Sequence, residues 1–340
     1  MNWNDSLNIL NKLSFYKIWN AFRLWFSYQR SLITKKPIIS GLPLSIAIEP
    51  TTSCNLRCPE CPSGLRSFSR PIGMLKPETF ELMLKQIKRH VAFMLFYFQG
   101  EPYLNKHFLE LVKLASKAGI YTSTSTNAHY LDDDTARQTV ESGLDRLIIS
   151  IDGASQETYK AYRIGGKLDK VIDGTKNIIR WKKKLKSKTP HVIFQMLVVK
   201  PNEQDIPEVK AMANELGVNE VKLKTAQIYD YKNGSPLIPD NANYSRYQKL
   251  KDDTFAIKNK LLNQCWKMWH SCVITWDGRV VPCCFDKDAT HQLGNLNQAN
   301  FDQIWTGEAY KNFRQQILVG RTQIDICTNC TEGTKVWTEA

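Results

Sequence analysis

Predicted strands and helices alternate through the middle of the chain, and this alternation constrains the fold more than any other feature. The predicted strands are segments 44–49, 93–98, 121–125, 146–151, 192–199 and 220–224. Amphipathic helices are predicted between them, near 77–89, 105–118, 132–142, 168–186 and 205–216. Repeated βα units imply a parallel α/β sheet. Six such strands predict a partial (β/α)6 TIM-like barrel, with its chemistry at the carboxyl ends of the strands.

Local turn and cap residues agree with these helix boundaries. Gly119, Gly143 and Gly217 follow predicted helices, where a left-handed C-cap is expected. Asp132 and Ser155 stand where helices begin and are predicted as N-caps.

The 340 residues are predicted to divide into four segments. Residues 1–40 form an N-terminal amphipathic helical segment, and residues 41–226 form the core barrel. Residues 227–264 form a linker with one helix near 243–260, and residues 265–340 form a small cysteine-rich module. Hydrophobic residues make up 42% of the chain and charged residues 23%, which is ordinary for a globular protein.

Nine cysteines fall into two groups separated by about 200 residues. The groups are Cys54, Cys58, Cys61 and then Cys265, Cys272, Cys283, Cys284, Cys327, Cys330. The start of the chain has no signal-peptide pattern, and no run of eighteen apolar residues predicts a membrane span. A cytoplasmic location is therefore expected, where clustered cysteines bind metal more often than they form disulfides. The gap between the groups predicts two separate metal sites.

The first group has the spacing Cys54-x3-Cys58-x2-Cys61 in a loop that follows the first predicted strand. Thiolates are the natural ligands of iron–sulfur clusters. Three thiolates leave one iron of a [4Fe–4S] cluster without a protein ligand, and an open metal position is typical of a catalytic site. The alternative is a zinc knuckle or a set of structural cysteines.

The stretch IEPTTSCNLRCPECP resembles the cysteine loop of the radical S-adenosylmethionine (SAM) superfamily. The resemblance extends over residues 44–226. It implies that the open iron chelates the amine and carboxylate of SAM. It also implies that reductive cleavage of SAM gives a 5′-deoxyadenosyl radical, which abstracts hydrogen from a substrate.

Four short motifs at predicted strand ends carry the resemblance further, namely FYFQGEP, STSTN, SIDG and AYRIGG. By resemblance, the SAM contacts are Gly100, Glu101, Ser125, Asn127, Ser150 and Arg163, with Ser123 and Asp152 as weaker candidates. Glu60 departs from the pattern, because many relatives carry an aromatic residue there that stacks on adenine. A differently built adenine pocket is therefore expected.

The second group resembles the SPASM or shorter twitch module of the same superfamily. The matching residues are Cys265, Gly278, Cys283, Cys327 and Cys330. The resemblance implies one auxiliary [4Fe–4S] cluster bound by those four cysteines. The stretch VITWDGRVVPC predicts a hairpin that turns at Asp277 and Gly278.

Alternatives remain open at this second site. Cys272 is a candidate to replace Cys327 or Cys330, and zinc is a candidate to replace the cluster. Cys284 is predicted to be a buried small apolar residue, with a role as hydrogen-atom or proton donor as the alternative.

Basic residues give the chain a formal net charge of +13. The densest run, RWKKKLKSK at 180–188, is predicted to be a solvated helix end. Aromatic residues do not interleave with it, and this argues against nucleic acid as a partner. The N-terminal helix carries aromatic residues on one face together with basic residues, and is expected to cap the barrel with its apolar face. The alternative is contact with a membrane surface.

The predicted function is radical SAM catalysis, with an oxidative modification of an unidentified peptide or small molecule. The expected electron donor is a flavodoxin or a ferredoxin. The alternatives are a membrane-associated or lipid-like substrate, and a non-catalytic iron–sulfur or zinc-binding protein. The site motifs identify no catalytic acid or base.

Overall fold

Six parallel strands form the centre of the molecule. The computed structural model describes residues 3–332 and the backbone of residues 337 and 338. The strands are β1 (Ser45–Ile48), β2 (Phe93–Leu95), β3 (Tyr121–Thr126), β4 (Arg146–Ser150), β5 (His191–Val198) and β6 (Glu220–Thr225). They are hydrogen-bonded in chain order, and every neighbouring pair is parallel. The predicted partial barrel is confirmed.

Helices follow the strands, as expected of βα units. The α-helices are α1 (Trp3–Asn11), α2 (Phe15–Thr34), α3 (Pro62–Leu65), α4 (Pro77–Ile87), α5 (Phe108–Lys117), α6 (Asp133–Glu141), α7 (Gln156–Tyr162), α8 (Leu168–Lys184), α9 (Ile206–Leu216), α10 (Lys267–His270), α11 (Phe301–Thr306) and α12 (Glu308–Gly320). All five helices predicted in the barrel are present.

The predicted caps are also present. The Asp132 carboxylate accepts a hydrogen bond of 2.8 Å from the Thr135 amide, and the Ser155 hydroxyl accepts one of 3.2 Å from Thr158. Gly119, Gly143 and Gly217 have φ angles of 71°, 80° and 77°, in the left-handed region.

Strands from the C-terminal part of the chain extend the barrel sheet at both edges. The remaining strands are β7 (Tyr247–Lys249), β8 (Phe255–Ile257), β9 (Ser271–Ile274), β10 (Arg279–Val281), β11 (Gly294–Asn295) and β12 (Trp337–Thr338). Strand β9 pairs in parallel with β1, and β10 pairs antiparallel with β9 across the predicted turn at Gly278. Strand β12 pairs with β6 at the other edge. Because the sheet is continuous, the four-segment division of the chain stays a proposal.

The helix predicted near 243–260 is wrong. Strands β7 and β8 form an antiparallel hairpin there, and Asp253 has a φ of 62° in its turn. The Tyr247 hydroxyl explains the difference, because it donates to the carbonyl of Ile228 at 3.0 Å and accepts from its amide at 2.8 Å. This tertiary contact holds the segment extended against the end of the barrel.

The orientation expected for the N-terminal helix is also wrong. The face of α2 that packs on the barrel consists of Lys17, Asn20, Leu24, Ser27, Tyr28 and Ser31. Asn20 donates to the carbonyl of Leu42 at 2.6 Å, and Lys17 donates to the carbonyl of Gly119 at 2.7 Å. These hydrogen bonds turn the aromatic side outward, so Trp19, Phe22, Trp25 and Phe26 are each about half exposed. No helix among the described residues is long and apolar enough to cross a bilayer.

Candidate active site

The first cysteine loop leaves the carboxyl end of β1 and folds back tightly on itself. The Cys61 amide donates to the carbonyl of Cys58 at 3.3 Å, and Cys61 then serves as the N-cap of α3. A Cβ atom on Gly64 would lie 2.6 Å from the Cys58 nitrogen, so this close approach requires glycine. The sequence thus fixes three cysteines in one compact turn.

The chemistry of these thiols fits an iron–sulfur cluster. Burial raises the pKa of Cys54 to about 11 and also raises that of Cys58, while Cys54 accepts a hydrogen bond of 3.5 Å from the Leu56 amide. Buried thiols of this kind become thiolates when a metal supplies positive charge. Among residues 3–332, no three such side chains converge as ligands of a single ion. In a [4Fe–4S] cluster each thiolate instead binds a separate iron.

The Gly100–Glu101 segment packs directly against the cysteine loop. Gly100 has a φ of 75°, and a Cβ atom there would lie 2.3 Å from the carbonyl oxygen of Thr51. The Glu101 amide donates to the carbonyl of Ser53 at 2.8 Å. The second strand therefore positions the residues that precede Cys54.

The Glu101 carboxylate connects this segment to the end of β3. It accepts hydrogen bonds of 2.7 Å from the Thr126 hydroxyl and from the Asn127 amide. The Asn127 side chain in turn donates to the side-chain oxygen of Asn55 at 2.8 Å, inside the cysteine loop. Burial raises the pKa of Glu101 to about 7. This network holds two predicted SAM contacts within reach of the loop.

Arg163 approaches the same loop from the end of α7. Its Nε donates to the carboxylate of Asp152 at 2.5 Å, and its Nη1 lies 3.8 Å from Cys58 Sγ. Asp152 also accepts from the Leu197 amide at 2.6 Å, so its carboxylate is fixed between two elements. Asp152 is thus a positioning residue for Arg163.

The remaining predicted contacts lie on neighbouring strands. The hydroxyls of Ser125 on β3 and Ser150 on β4 are 3.5 Å apart, and Ser123 is buried within β3. The structure brings the predicted contacts to one end of the barrel, and their roles toward SAM stay a proposal.

The Glu60 carboxylate accepts a hydrogen bond of 2.9 Å from the Tyr229 amide.

The second cysteine set is drawn together by Arg321, a residue that sequence reasoning missed. Its Nη2 lies 3.3 Å from Cys330 Sγ, and its Nη1 donates to the carbonyl of Gln264 at 2.5 Å, next to Cys265. The Cys330 amide donates to the carbonyl of Cys327 at 3.0 Å. In the sequence, the only signal for this contact is a basic residue shortly before the terminal CxxC.

These cysteines also fit a buried cluster. Burial raises the pKa of Cys265 to about 12 and raises that of Cys283 well above its ordinary value. Cys327 and Cys330 are buried as well. The assignment of Cys265, Cys283, Cys327 and Cys330 as ligands stays a proposal.

The two remaining cysteines have different surroundings. Cys272 is buried on β9 in the main core, near Tyr310 and Arg314. Cys284 is exposed, and Lys267 Nζ lies 3.5 Å from its Sγ. The prediction of a buried Cys284 is wrong, because β10 ends at Val281 and strand alternation does not continue to this position.

A cavity of about 560 Å³ lies inside the barrel between the two cysteine sites. Glu60 and Gln99 line it beside the first loop, and Cys283 and Cys284 line it at the second. Ser45 pairs with Ser271 and Val281 pairs with Val273, so the second site lies near the amino end of β1. The first loop leaves the opposite end of β1. This strand has four residues at roughly 3.3 Å each, so its two ends are about 13 Å apart.

A second missed feature is the buried pair of Glu49 and Arg70. Arg70 donates to both carboxylate oxygens of Glu49, at 2.8 and 2.5 Å, and both side chains are almost fully buried. The Trp276 amide also donates to Glu49 at 3.4 Å. The pair therefore joins the cysteine loop to the β9–β10 hairpin.

Comparisons with known proteins match the same two regions. Residues 48–213 match the family model described as the radical SAM superfamily. Residues 265–331 match the SPASM model, described as an iron–sulfur cluster-binding domain. The chain belongs to the radical SAM superfamily. The two matches contain the two sets of cysteines, and they identify the chain as a radical SAM enzyme with SAM, a [4Fe–4S] cluster and auxiliary iron–sulfur binding as its cofactor chemistry.

Relatives of this radical SAM enzyme are similar over most of their length. The tungsten-containing aldehyde ferredoxin oxidoreductase cofactor-modifying protein of Pyrococcus furiosus is 24% identical, covering 84% of this chain and 86% of that protein. The PqqA peptide cyclase of Rhodopseudomonas palustris is 25% identical, covering 81% and 76%. The structure of Streptococcus suis SuiB bound to the precursor peptide SuiA has a TM-score of 0.61 at 16% identity, covering 87% and 72%. That structural likeness shows the fold.

Proposed function

We propose that this enzyme catalyses a two-electron oxidation of a peptide or small molecule held in the barrel cavity. When bound and reduced by one electron, SAM supplies a 5′-deoxyadenosyl radical that takes a hydrogen atom from the substrate. An auxiliary cluster held by Cys265, Cys283, Cys327 and Cys330 would supply the acceptor for the second electron of this oxidation. A flavodoxin or ferredoxin is the proposed source of the first electron.

The observation that carries this proposal is a single cavity lined by residues of both cysteine sites. Its volume of about 560 Å³ lies within the usual range of small-molecule pockets, about 300–1,000 Å³. A substrate in it would contact the first loop beside Glu60 and Gln99, and the second site beside Cys283. The wall between the ends includes the apolar side chains of Ala47, Leu95 and Val273.

The relatives support a peptide as one class of substrate. One similar protein is named a PqqA peptide cyclase, and SuiB is described with a bound precursor peptide. Another similar protein is named a cofactor-modifying protein, and this supports a small molecule as the second class of substrate.

Anaerobic reconstitution followed by iron and sulfide analysis tests the proposal. We expect about eight irons per chain in the wild type and about four in a Cys54→Ala/Cys58→Ala/Cys61→Ala variant. Dithionite-driven formation of 5′-deoxyadenosine should occur in the wild type and be lost in the triple variant. Cys284→Ala is the matched control, because Cys284 is outside both proposed ligand sets, and its iron content should be unchanged.

Two outcomes would contradict parts of the proposal. About four irons with full 5′-deoxyadenosine formation would assign the C-terminal cysteines to zinc or to structure. A well-loaded, reduced protein that forms only redox-neutral product would remove the electron-accepting role of the second site.

The outward face of α2 favours a second candidate, in which the substrate is membrane-associated. Seven large apolar side chains lie on this face and are between 50% and 84% exposed, namely Phe15, Ile18, Trp19, Phe22, Trp25, Phe26 and Ile33. Aromatic side chains with an apolar body and a polar edge favour the interface between lipid and water.

Charge favours an anionic membrane over a second copy of the chain. Asp5 is the only acidic residue among residues 1–36, and its carboxylate is buried between Tyr121 and Arg146. The exposed charges of α2 and its end are therefore basic, and include Arg23, Arg30 and Lys36. Two such faces would repel each other, whereas anionic lipid headgroups would attract them.

Flotation with lipid vesicles tests this candidate. We expect the holoenzyme to float with phosphatidylglycerol-containing vesicles and much less with phosphatidylcholine alone. Trp19→Ser/Phe22→Ser should abolish most of the binding. Leu82→Ser/Val319→Ser is the matched control, because both residues are about 60% exposed and lie on other helices. Failure of the wild type to float would remove the candidate.

A further inference from the structure

The barrel cavity carries an excess of positive charge. Among its described lining residues are the cations Lys224, Arg246, Lys267 and Lys287, against two carboxylates, Glu60 and Glu332. The four cations come from β6, the segment before β7, α10 and the segment after β10. Segments distant in the chain thus place like charges around one cavity. Like charges in a poorly solvated space repel each other unless an anion lies among them.

Of these cations, Arg246 gives the strongest reason to expect an anion in the cavity. Its side chain is 6% exposed, and its Nη2 donates to the carbonyl of Thr225 at 2.9 Å. Its Nε and Nη1 are buried and have no hydrogen-bond partner among the described residues. A buried donor without an acceptor is costly. An oxyanion in the cavity would provide the missing acceptor in the planar geometry that a guanidinium prefers.

Two lysines stand near Arg246. Burial lowers the pKa of Lys224 and of Lys287, and the charge of Arg246 lowers both further. Lys287 Nζ donates to the hydroxyl of Tyr229 at 2.8 Å, which leaves two of its hydrogens available. Lys267 is different, because its Nζ already lies 3.8 Å from the Glu332 carboxylate and 3.5 Å from Cys284 Sγ.

We propose that the substrate carries an oxyanion, a carboxylate or a phosphate, which Arg246 binds together with Lys224 and Lys287. This inference rests on the proposed function, because it assigns the substrate of that cavity. The bound oxyanion orients the rest of the substrate toward Glu60 and Gln99, beside the first cysteine loop. None of the residues predicted to contact SAM is among the described lining of this cavity, so the proposed anion site is separate from them.

Anaerobic titration of the reconstituted holoenzyme with small probes tests the proposal. The probes are inorganic phosphate, glutarate and the neutral glutaramide, with heat of binding as the readout. We expect at least one anion to bind the wild type, and glutaramide not to bind. Arg246→Gln should weaken anion binding by about tenfold or more, since it removes charge-assisted hydrogen bonds. Lys183→Gln/Lys186→Gln is the matched control from the exposed basic run and should bind as the wild type does.

The two anions distinguish the source of the oxyanion. Binding of phosphate alone supports a phosphorylated small molecule, and binding of glutarate alone supports a carboxylate-bearing substrate. If Arg246→Gln does not fold, Lys287→Gln decides the question by the same loss of binding. Equal binding by wild type and both variants would overturn the proposal, and so would binding of neither anion by the wild type.

A further readout separates this inference from the proposed function. Iron is counted in Arg246→Gln beside the wild type, and the loss of anion binding should be larger than any loss of iron. If iron is lost instead while anion binding is unchanged, the cations serve only to balance the charge of the auxiliary cluster, and the inference is overturned. If the wild type binds an anion but forms no 5′-deoxyadenosine, the proposed function fails while the anion site stands.

Discussion

The guanidinium of Arg321 lies against the sulfur of Cys330, with 3.3 Å between Nη2 and Sγ. The same guanidinium holds the carbonyl of Gln264, so one side chain ties the two ends of the C-terminal module together. A positive charge at this distance stabilises a thiolate more than a thiol. Arg321 therefore favours the ligand form of the cysteine.

Replacing Arg321 should weaken the second cluster selectively. A hydrogen bond to a charged group contributes about 1.5–3 kcal/mol, so we expect Arg321→Gln to lose auxiliary iron to a chelator about tenfold faster. Arg321→Lys should restore part of the retention, because it keeps the charge without the planar fork. Iron counting against time measures both, and Arg137→Gln on the exposed face of α6 is the control. Unchanged retention in Arg321→Gln would show that this contact does not hold the cluster.

Gly100 offers a test of the contact between β2 and the cysteine loop. Gly100→Ala should reduce first-cluster iron and lower 5′-deoxyadenosine formation about tenfold or more, because the new Cβ would meet Thr51 at 2.3 Å. Gly119→Ala is a matched control: its φ of 71° is similar, but a Cβ there meets nothing within 4 Å. Gly119→Ala should lower the free energy of unfolding by about 1 kcal/mol, which is the strain of the left-handed backbone alone. Equal effects of the two substitutions would mean that strain, and not the clash, is responsible.

The buried pair of Glu49 and Arg70 should be strongly coupled. Arg70→Met leaves a buried carboxylate without its partner, and we expect a loss of about 3–5 kcal/mol in the free energy of unfolding. The double variant Glu49→Gln/Arg70→Met should recover a large part of that loss. Arg137→Met breaks an exposed pair with Glu141 and should leave the free energy of unfolding nearly unchanged. Urea unfolding measures all three, and additive losses in the double variant would contradict the coupling.

His90 should make stability depend on pH. It is 1% exposed, stacks on Phe301, and burial lowers its pKa to about 4. The unfolded chain therefore binds its proton at higher pH than the folded chain does. This stability is fully present above about pH 6.5 and is lost as the pH falls toward about 4.

The size of that effect follows from the same pKa difference. Between about pH 7.5 and about pH 5.5, His90 should account for a fall of about 1 kcal/mol in the free energy of unfolding. His90→Phe keeps the stacking on Phe301 and removes the titrating group. Urea unfolding at both pH values should show a correspondingly smaller fall in the variant. An identical fall in both proteins would place the pH dependence elsewhere.

The barrel was predictable because its signals are local. Apolar periodicity located the six strands and five helices, and glycines such as Gly217 marked the helix ends. The turn at Asp277 and Gly278 was predictable for the same reason, since a hairpin of two short strands depends on its turn residues. The cysteine spacing located the first site within one loop.

The errors lie where distant contacts decide the structure. The hydroxyl of Tyr247 binds the backbone of Ile228, and this holds an apparently helical segment as a hairpin. Asn20 and Lys17 bind backbone carbonyls of other segments and turn α2 around its axis. Arg246 and Arg321 become significant only when the fold brings them to the cavity and to Cys330. No periodicity in the sequence reports such contacts.

The parallel pairing of β9 with β1 sets the spacing between the two proposed cluster sites. The first cysteine loop leaves one end of β1, and the segment with Cys283 returns to the other end. The length of this hydrogen-bonded strand therefore sets the distance between them. Electron tunnelling depends steeply on distance and is sensitive to small changes in it. A spacing fixed by backbone hydrogen bonds would keep the rate of the proposed electron transfer nearly constant, whether or not a substrate lies in the cavity.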